Sequence, residues 1–390
     1  MVYLDANATL PLHPAARRAW LDVVDAAWHN PSSLYEPATE ARHLLEDRRE
    51  RLALLLGCGP ERIVFTAGAT AATNALARHI GRSAAPDGVA LVSGGEHPCV
   101  GDSFAAALSG RVQSLSCDRD GVVRLDVLEA RLTGASRDGL PAAALVSIMA
   151  ASNETGVLQP WGEALAICRR HGVPFHTDAA QWLGKLPAAG LGACDWVTGS
   201  GHKFGGPKGI GFLVVPEAAG FRGDHGGPQE RGRHAGTEDV AAVAALVAAL
   251  EAREAKTGHA RAALAAARDA AEERLAVLLP DAVVVGRAAP RLWNTSAVVV
   301  PGADGRKLVA RLAARGIAAS TGSACSAGAG STARILEAIG AEAIGLSESD
   351  LRGLVRLSGG WETTAADWLT AVEALAAAAR PDATLPRVTL

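Results

Sequence analysis

The chain has 390 residues, a formal net charge of −3, 49% hydrophobic and 20% charged residues. That length exceeds one small core and suggests two domains, and the balance is that of a globular protein. No basic stripe marks a nucleic-acid binder, and no segment approaches the roughly 18 uninterrupted apolar residues of a membrane span. The cysteines at 58, 99, 117, 168, 194 and 325 show neither paired spacing nor a CxxC motif. This argues against a disulfide framework and against a zinc site, so no metal is expected. The N-terminus lacks a basic run followed by an apolar core, and a reduced, cytoplasmic, soluble protein is expected.

Residues 1–14 are too short and broken for a domain and read as an arm that packs on the small domain. Ala15 to Trp28 has helical spacing, broken by the turn His29-Asn30-Pro31-Ser32-Ser33. Thr39 to Leu56 reads as an amphipathic helix stopped by Gly57. Strands are then expected at Ile63–Thr66, Val89–Ser93, Val112–Leu115, Ala143–Met149, Val173–Asp178, Asp195–Thr198 and Ile210–Val215, alternating with helices. Such alternation predicts an α/β fold with a mostly parallel sheet covered on both faces. An alanine-rich helical region from Val240 to Leu278 has Gly258 as its weak point and reads as a connection between domains. Beyond it, short strands and helices predict a smaller α+β domain. The expected division is an arm (1–14), a large domain (15–255), a small domain (256–378) and a loosely held tail (379–390).

A parallel sheet places ligands at the carboxyl ends of its strands. Those ends carry Thr70, His97, Asn153, Asp178, Gln181, Ser200, His202 and Lys203, while the strands themselves are nearly all apolar. Lys203 lies between two apolar strands, in a loop expected to bury it. Burial disfavours the charged form and leaves an amine able to attack carbonyls. Lysine is scarce in this chain, so its use at 203, where arginine would serve as a plain cation, is informative. Thr66-Ala-Gly-Ala69-Thr70 joins a strand to a helix, and backbone N–H groups there suit a phosphate group. Asp178 ends a strand with apolar neighbours and needs a cationic partner, although a helix cap is an alternative role. A Schiff-base lysine, an acid and a phosphate cup together are what pyridoxal phosphate requires.

With these residues in place, the chain resembles the cysteine desulfurases of the class V aminotransferase group, over nearly its whole length. The resemblance is carried by Tyr3-Leu-Asp-Ala-Asn-Ala-Thr9, Asn30-Pro-Ser-Ser33, Phe65-Thr-Ala-Gly-Ala-Thr70 and Glu96-His97. It continues through Asn153-Glu-Thr-Gly156, Phe175-His-Thr-Asp-Ala-Ala-Gln181, Ser200-Gly-His-Lys203 with Gly206-Pro-Lys-Gly209, Gln229-Glu-Arg-Gly232 with Gly236-Thr237, Thr321-Gly-Ser-Ala-Cys325 and Arg356-Leu-Ser358. It implies a fold-type I architecture like that of aspartate aminotransferase, with a sheet of seven-stranded type, a homodimer and pyridoxal 5'-phosphate as cofactor. It also implies L-cysteine as substrate and a persulfide-accepting protein, an iron–sulfur scaffold or thiolation factor, as partner.

The implied roles follow residue by residue. Lys203 would bind the cofactor covalently and move the α-proton, and Asp178 would keep the pyridine nitrogen protonated. His97 would stack on the ring and Gln181 would meet its phenolic oxygen. Ala69, Thr70, Ser200 and His202 would hold the phosphate, joined by Thr237 from the neighbouring subunit. Asn153 and Arg356 would receive the substrate carboxylate, which suits a two-pronged guanidinium. Cys325, in a loop of small residues, would attack the substrate sulfur as a thiolate.

The chain departs from the family at Ala71-Ala72, at Leu10, where a second threonine is common, and after Cys325, where a Leu-Glu-Pro segment is missing. The length of that loop suits the long-loop group. Another class V enzyme, an aminotransferase or selenocysteine lyase, is the alternative activity, and a non-catalytic scaffold of the same fold is the alternative from a different class.

Overall fold

The computed structural model describes residues 1–217, 220–256, 258–322 and 333–380. In chain order the elements are β1 (Val2–Tyr3), α1 (Pro14–Ala26), α2 (Glu36–Leu56), β2 (Ile63–Thr66), α3 (Ala69–Ser83), β3 (Val89–Ser93), α4 (Pro98–Ala107), β4 (Val112–Leu115), α5 (Leu125–Arg137), β5 (Ala143–Ser147), α6 (Trp161–Arg170), β6 (Phe175–Asp178), β7 (Trp196–Ser200) and β8 (Gly211–Val214). They continue as α7 (Gln229–Gly232), α8 (Val240–Glu254), α9 (Gly258–Leu278), β9 (Val283–Val284), β10 (Thr295–Val299), α10 (Gly305–Ala313), β11 (Ile317–Ala318), α11 (Arg334–Ile339), β12 (Leu354–Ser358) and α12 (Ala365–Ala379).

The strand order of the main sheet is β2-β8-β7-β6-β5-β3-β4, seven strands as expected for this fold. All neighbours run parallel except β8, which is antiparallel to both β2 and β7. The exception is local in origin, because β7 and β8 are joined by the short Lys203 loop, too short for a parallel crossover. Central strands are buried on both faces, so their sequences are apolar runs rather than alternations. On one face Leu76 and Ile80 of α3 and Val100 and Phe104 of α4 pack over Val92, Trp196 and Leu213. On the other, Leu45 and Leu52 of α2, Leu165 of α6 and Val243 and Leu246 of α8 cover Val146, Val197 and Phe212. Each such side chain contributes about 1.5–3 kcal/mol when fully removed from water.

Local signals set the element ends. Pro14 opens α1, with His13 Nδ1 accepting from the Ala15 N–H at 3.2 Å. Gly57, at φ +77°, ends α2 in the left-handed conformation. The alanine-rich stretch expected as one long run is two helices: α8 ends at Glu254, and Gly258 begins α9 rather than weakening its middle.

A second, three-stranded sheet has the order β12-β10-β9, all antiparallel, and packs with α9, α10 and α12 through Leu275, Leu308, Leu312, Trp368 and Leu375. The N-terminal arm pairs with this half of the chain: β1 lies parallel to β11, with Val2 opposite Ile317. Among the described residues no helix is long and apolar enough to cross a membrane.

Candidate active site

A cavity of about 480 Å³ lies at the carboxyl ends of the main-sheet strands, closed on one side by the arm and by β12. Ala69, Thr70, His97, Asn153, Asp178, Gln181, Ser200, His202, Lys203 and Arg356 all line it. Thr237 is exposed and is not among the lining residues. Cys325 lies outside the described residues.

Lys203 closes a single 3₁₀ turn after β7. It is half-buried, less enclosed than its apolar flanks predict, because its side chain borders the cavity. Its Nζ donates to the carbonyls of Asn7 at 2.7 Å and Ala8 at 2.9 Å, both in the arm. Nothing in the sequence flagged these acceptors, since a backbone carbonyl has no residue signature.

Asp178, at the end of β6, is 8% exposed. Its Oδ1 accepts from the Ala180 N–H at 2.8 Å. Burial raises its pKa, opposed by that N–H and by His97 and Lys203. His97 caps α4, its Nδ1 accepting from the Cys99 N–H at 3.2 Å. Burial lowers the His97 pKa, while Asp178 pulls it up and Lys203 down. A carboxyl that lines a cavity and whose charge is disfavoured by burial is a ready partner for a protonated pyridine nitrogen.

At the opposite end, Gly68 starts α3 at φ +132°, a conformation that favours glycine, and among the described residues no side chain caps the helix. A Cβ on Gly211 would lie 2.4 Å from the Gly199 carbonyl and 2.7 Å from Gly68 Cα, so glycine lets the helix start press onto β7 and β8. Ser200 and His202 border the same corner. His202 Nδ1 is 3.1 Å from Thr9 Oγ1, and burial with Lys203, Lys208 and Lys185 nearby lowers its pKa to about 4. Uncapped N–H groups at a helix start, a hydroxyl and Lys208 at the rim suit a phosphate monoester. Acid at one end, phosphate cradle at the other and an amine on the wall fit pyridoxal phosphate.

Arg356, on β12, is 2% exposed. Its Nη1 donates to the carbonyls of Asn153 at 2.9 Å and Gly322 at 2.5 Å, and its Nη2 to Asp5 Oδ1 at 2.6 Å. Among the described residues its Nε is buried without a partner. A guanidinium on the cavity wall with an unspent donor is suited to a carboxylate ligand. Asn7 braces this side: its N–H donates to Ser358 Oγ at 3.0 Å and its Nδ2 to Thr295 Oγ1 at 2.9 Å, while its Oδ1 accepts from Asn294 Nδ2 at 3.0 Å.

Behind the cavity a buried chain runs Glu96–Ser147–His176–Thr198. Ser147 Oγ donates to Glu96 Oε1 at 3.0 Å and sits 2.8 Å from His176 Nδ1, whose Nε2 is 3.2 Å from Thr198 Oγ1. Burial, reinforced by Asp178, holds the Glu96 carboxyl well above its usual range, and burial lowers His176 to about 3. Neither Glu96 nor His176 lines the cavity, so Asp178 is the acid on its wall. Sequence reasoning named Glu96 and His176 only within motifs and gave neither a role.

The aminotransferase class-V family matches residues 2–367. The chain is similar to an IscS-like cysteine desulfurase of Mycobacterium tuberculosis, 36% identical, over 96% of this chain and 95% of that protein. A cysteine desulfurase of Klebsiella pneumoniae is 34% identical over 87% of this chain and 84% of its own length. Among solved structures, a NifS-like protein superposes with a TM-score of 0.83 at 27% identity, covering 96% of this chain and 98% of that one. A match over nearly the whole chain, carried by a sheet and a strand-end cavity of this kind, has one consequence for classification: the chain belongs to the aminotransferase class-V family.

Proposed function

We propose that the protein is a pyridoxal phosphate-dependent cysteine desulfurase, which converts L-cysteine to L-alanine and leaves the sulfur as a persulfide on Cys325. The observation that carries the reading is the placement of Lys203, Asp178 and Arg356 on one cavity wall system, an amine and an acid with a carboxylate receptor beside them. Relatives named cysteine desulfurase support it.

Bound pyridoxal phosphate supplies an electron-poor ring that makes the substrate Cα–H acidic. Lys203 holds the cofactor and moves the proton at Cα. Asp178 would pair with the pyridine N–H, His97 would cover the ring face, and Ala69, Thr70, Ser200 and His202 would hold the phosphate. Arg356 and Asn153 receive the substrate carboxylate. The Cys325 thiolate forms the new S–S bond with the substrate sulfur as the substrate C–S bond breaks; the C–S electron pair stays on carbon, which takes up a proton on the way to alanine. Persulfide sulfur then passes to an acceptor protein of iron–sulfur cluster assembly or thiolation, in the cytoplasm. The enzyme acts as a homodimer in which Thr237 joins the neighbour's phosphate site; its exposure supports that use. The large and small domains meet near residue 255, with the arm bridging them.

Cys325→Ala tests the reading. The variant is expected to retain the visible absorbance band of the bound cofactor and to lose sulfide and alanine production from cysteine. Full sulfide release by this variant would sink the assignment.

A further inference from the structure

Lys185 is a second lysine close to the cavity, and no role above uses it. It is 3% exposed, more deeply buried than Lys203. Among the described residues it forms no ion pair, and the charges acting on it are the cations Lys203, Arg356 and Arg253. Buried lysines are rare unless paired, so its contacts matter. Its Nζ donates to Gln181 Oε1 at 2.7 Å and to the Gln181 carbonyl at 3.2 Å. Gln181 Nε2 in turn donates to the Asn7 carbonyl at 2.9 Å, which also accepts from Lys203 Nζ at 2.7 Å. One amide and one carbonyl thus connect the two lysines.

The turn that carries Lys185 is rigidly seated. Gly184 adopts φ +71°, and a Cβ there would lie 2.3 Å from Phe204 Cβ, directly beside Lys203. The indole N–H groups of Trp361 and Trp293 donate to the carbonyls of Gly184 and Lys185, each at 3.0 Å. The Asn7 carbonyl can only accept, and Lys185 occupies the oxygen of the amide. Both ends of the Gln181 side chain are therefore assigned: Oε1 points to Lys185, and the NH₂ group, with one hydrogen on Asn7, keeps its second hydrogen for the cavity that Gln181 lines.

We propose that Lys185 is a positioning residue: by holding Oε1 of Gln181 it presents an N–H donor, rather than a carbonyl lone pair, to the phenolic oxygen of the cofactor. The inference rests on the pyridoxal phosphate reading above. Burial among cations lowers the Lys185 pKa well below its ordinary value, consistent with a donor that serves geometry rather than charge. Without Lys185 only the Asn7 carbonyl opposes reversal of the amide, and a lone pair facing the phenolic oxygen makes that oxygen more basic.

The test is the pH titration of the holoenzyme's visible absorbance, with steady-state kinetics alongside. Lys185→Met is expected to bind cofactor and to show a band midpoint about one pH unit higher, the size of shift that one hydrogen bond to a charged group produces. Its kcat should fall about tenfold with KM for cysteine changed less than about twofold, since the loss falls on chemistry rather than binding. Lys185→Gln, which keeps a neutral N–H donor, should give a smaller shift in the same direction and serves if the Met variant does not fold. In a Gln181→Leu background the Lys185 substitutions should cause no further shift. A wild-type midpoint in the Lys185 variants, or a full shift that persists without Gln181, overturns the proposal. Wild-type protein that develops no band with added pyridoxal phosphate would instead remove the cofactor reading itself.

Discussion

Arg356 Nη2 donates to Asp5 Oδ1 at 2.6 Å, joining residues 351 positions apart in the chain. The guanidinium assigned to the substrate carboxylate is already matched by a carboxylate of the arm. The Asp5 side chain is 23% exposed, whereas that of Arg356 is 2% exposed. The two residues should therefore respond in opposite directions to neutralisation. Arg356→Gln removes charge-assisted hydrogen bonds worth about 1.5–3 kcal/mol, and KM for cysteine is expected to rise about 10–100-fold. Asp5→Asn keeps an acceptor and removes the competing charge, so KM should fall by up to about fivefold, the worth of a partly exposed pair. Initial-rate measurements on both variants check this; a raised KM in Asp5→Asn would make the acid a support rather than a competitor.

The cysteines should differ sharply in reactivity. Burial pushes Cys99, Cys168 and Cys194 up to about 12 and Cys117 up to about 11, and it raises Cys58 as well. At pH 8 a thiol of pKa 12 is ionised to roughly one part in 10⁴, and only the thiolate is alkylated. Iodoacetamide is expected to modify Cys325 first, with inactivation following the same time course, and Cys99, Cys117, Cys168 and Cys194 at least about 100-fold more slowly. Peptide mass spectrometry reads the order. A second cysteine labelled as fast as Cys325 would contradict it.

His176 predicts a pH dependence of stability. Folded, it titrates at about 3, against an ordinary value of 6.5, so between these values the unfolded chain binds the extra proton. The contribution is complete above about pH 6.5 and is lost as the pH falls toward 3. Between pH 6.5 and 5 the loss is about 2 kcal/mol. Urea unfolding of the cofactor-free protein at pH 7.5 and pH 5 should show a larger drop for wild type than for His176→Gln, and equal drops would exclude His176 as the source.

Much of this site could be read from the sequence because strand interiors are apolar while their carboxyl ends are not. Asp178, Gln181, Ser200 and Lys203 stand out against runs such as Trp196-Val-Thr-Gly and Gly211-Phe-Leu-Val. Hidden from such a reading were groups without a residue signature. The Asn7 and Ala8 carbonyls that hold Lys203 belong to the backbone of an arm taken only as something that packs elsewhere. Lys185 was one lysine among a few, and its turn is held by the indoles of Trp293 and Trp361, more than a hundred positions further along. The reversed direction of β8 likewise follows from how short the Lys203 loop is in space, whereas strand–helix alternation points only to parallel neighbours. The division of Val240–Leu278 into two helices was misread because Gly258 serves as a start rather than an interior weakness.

The bracing of Asn7 by Ser358, Thr295 and Asn294 also bears on when the site can come into being. A ribosome adding about 5–20 residues per second needs roughly 18–70 s to travel from residue 7 to residue 358. During that interval the main sheet can already be complete while Asn7 lacks the three partners that brace it and Arg356 is missing from the cavity wall. Cofactor capture should therefore be a late event in biogenesis, and polypeptides released before β12 emerges should fold a sheet yet hold no pyridoxal phosphate.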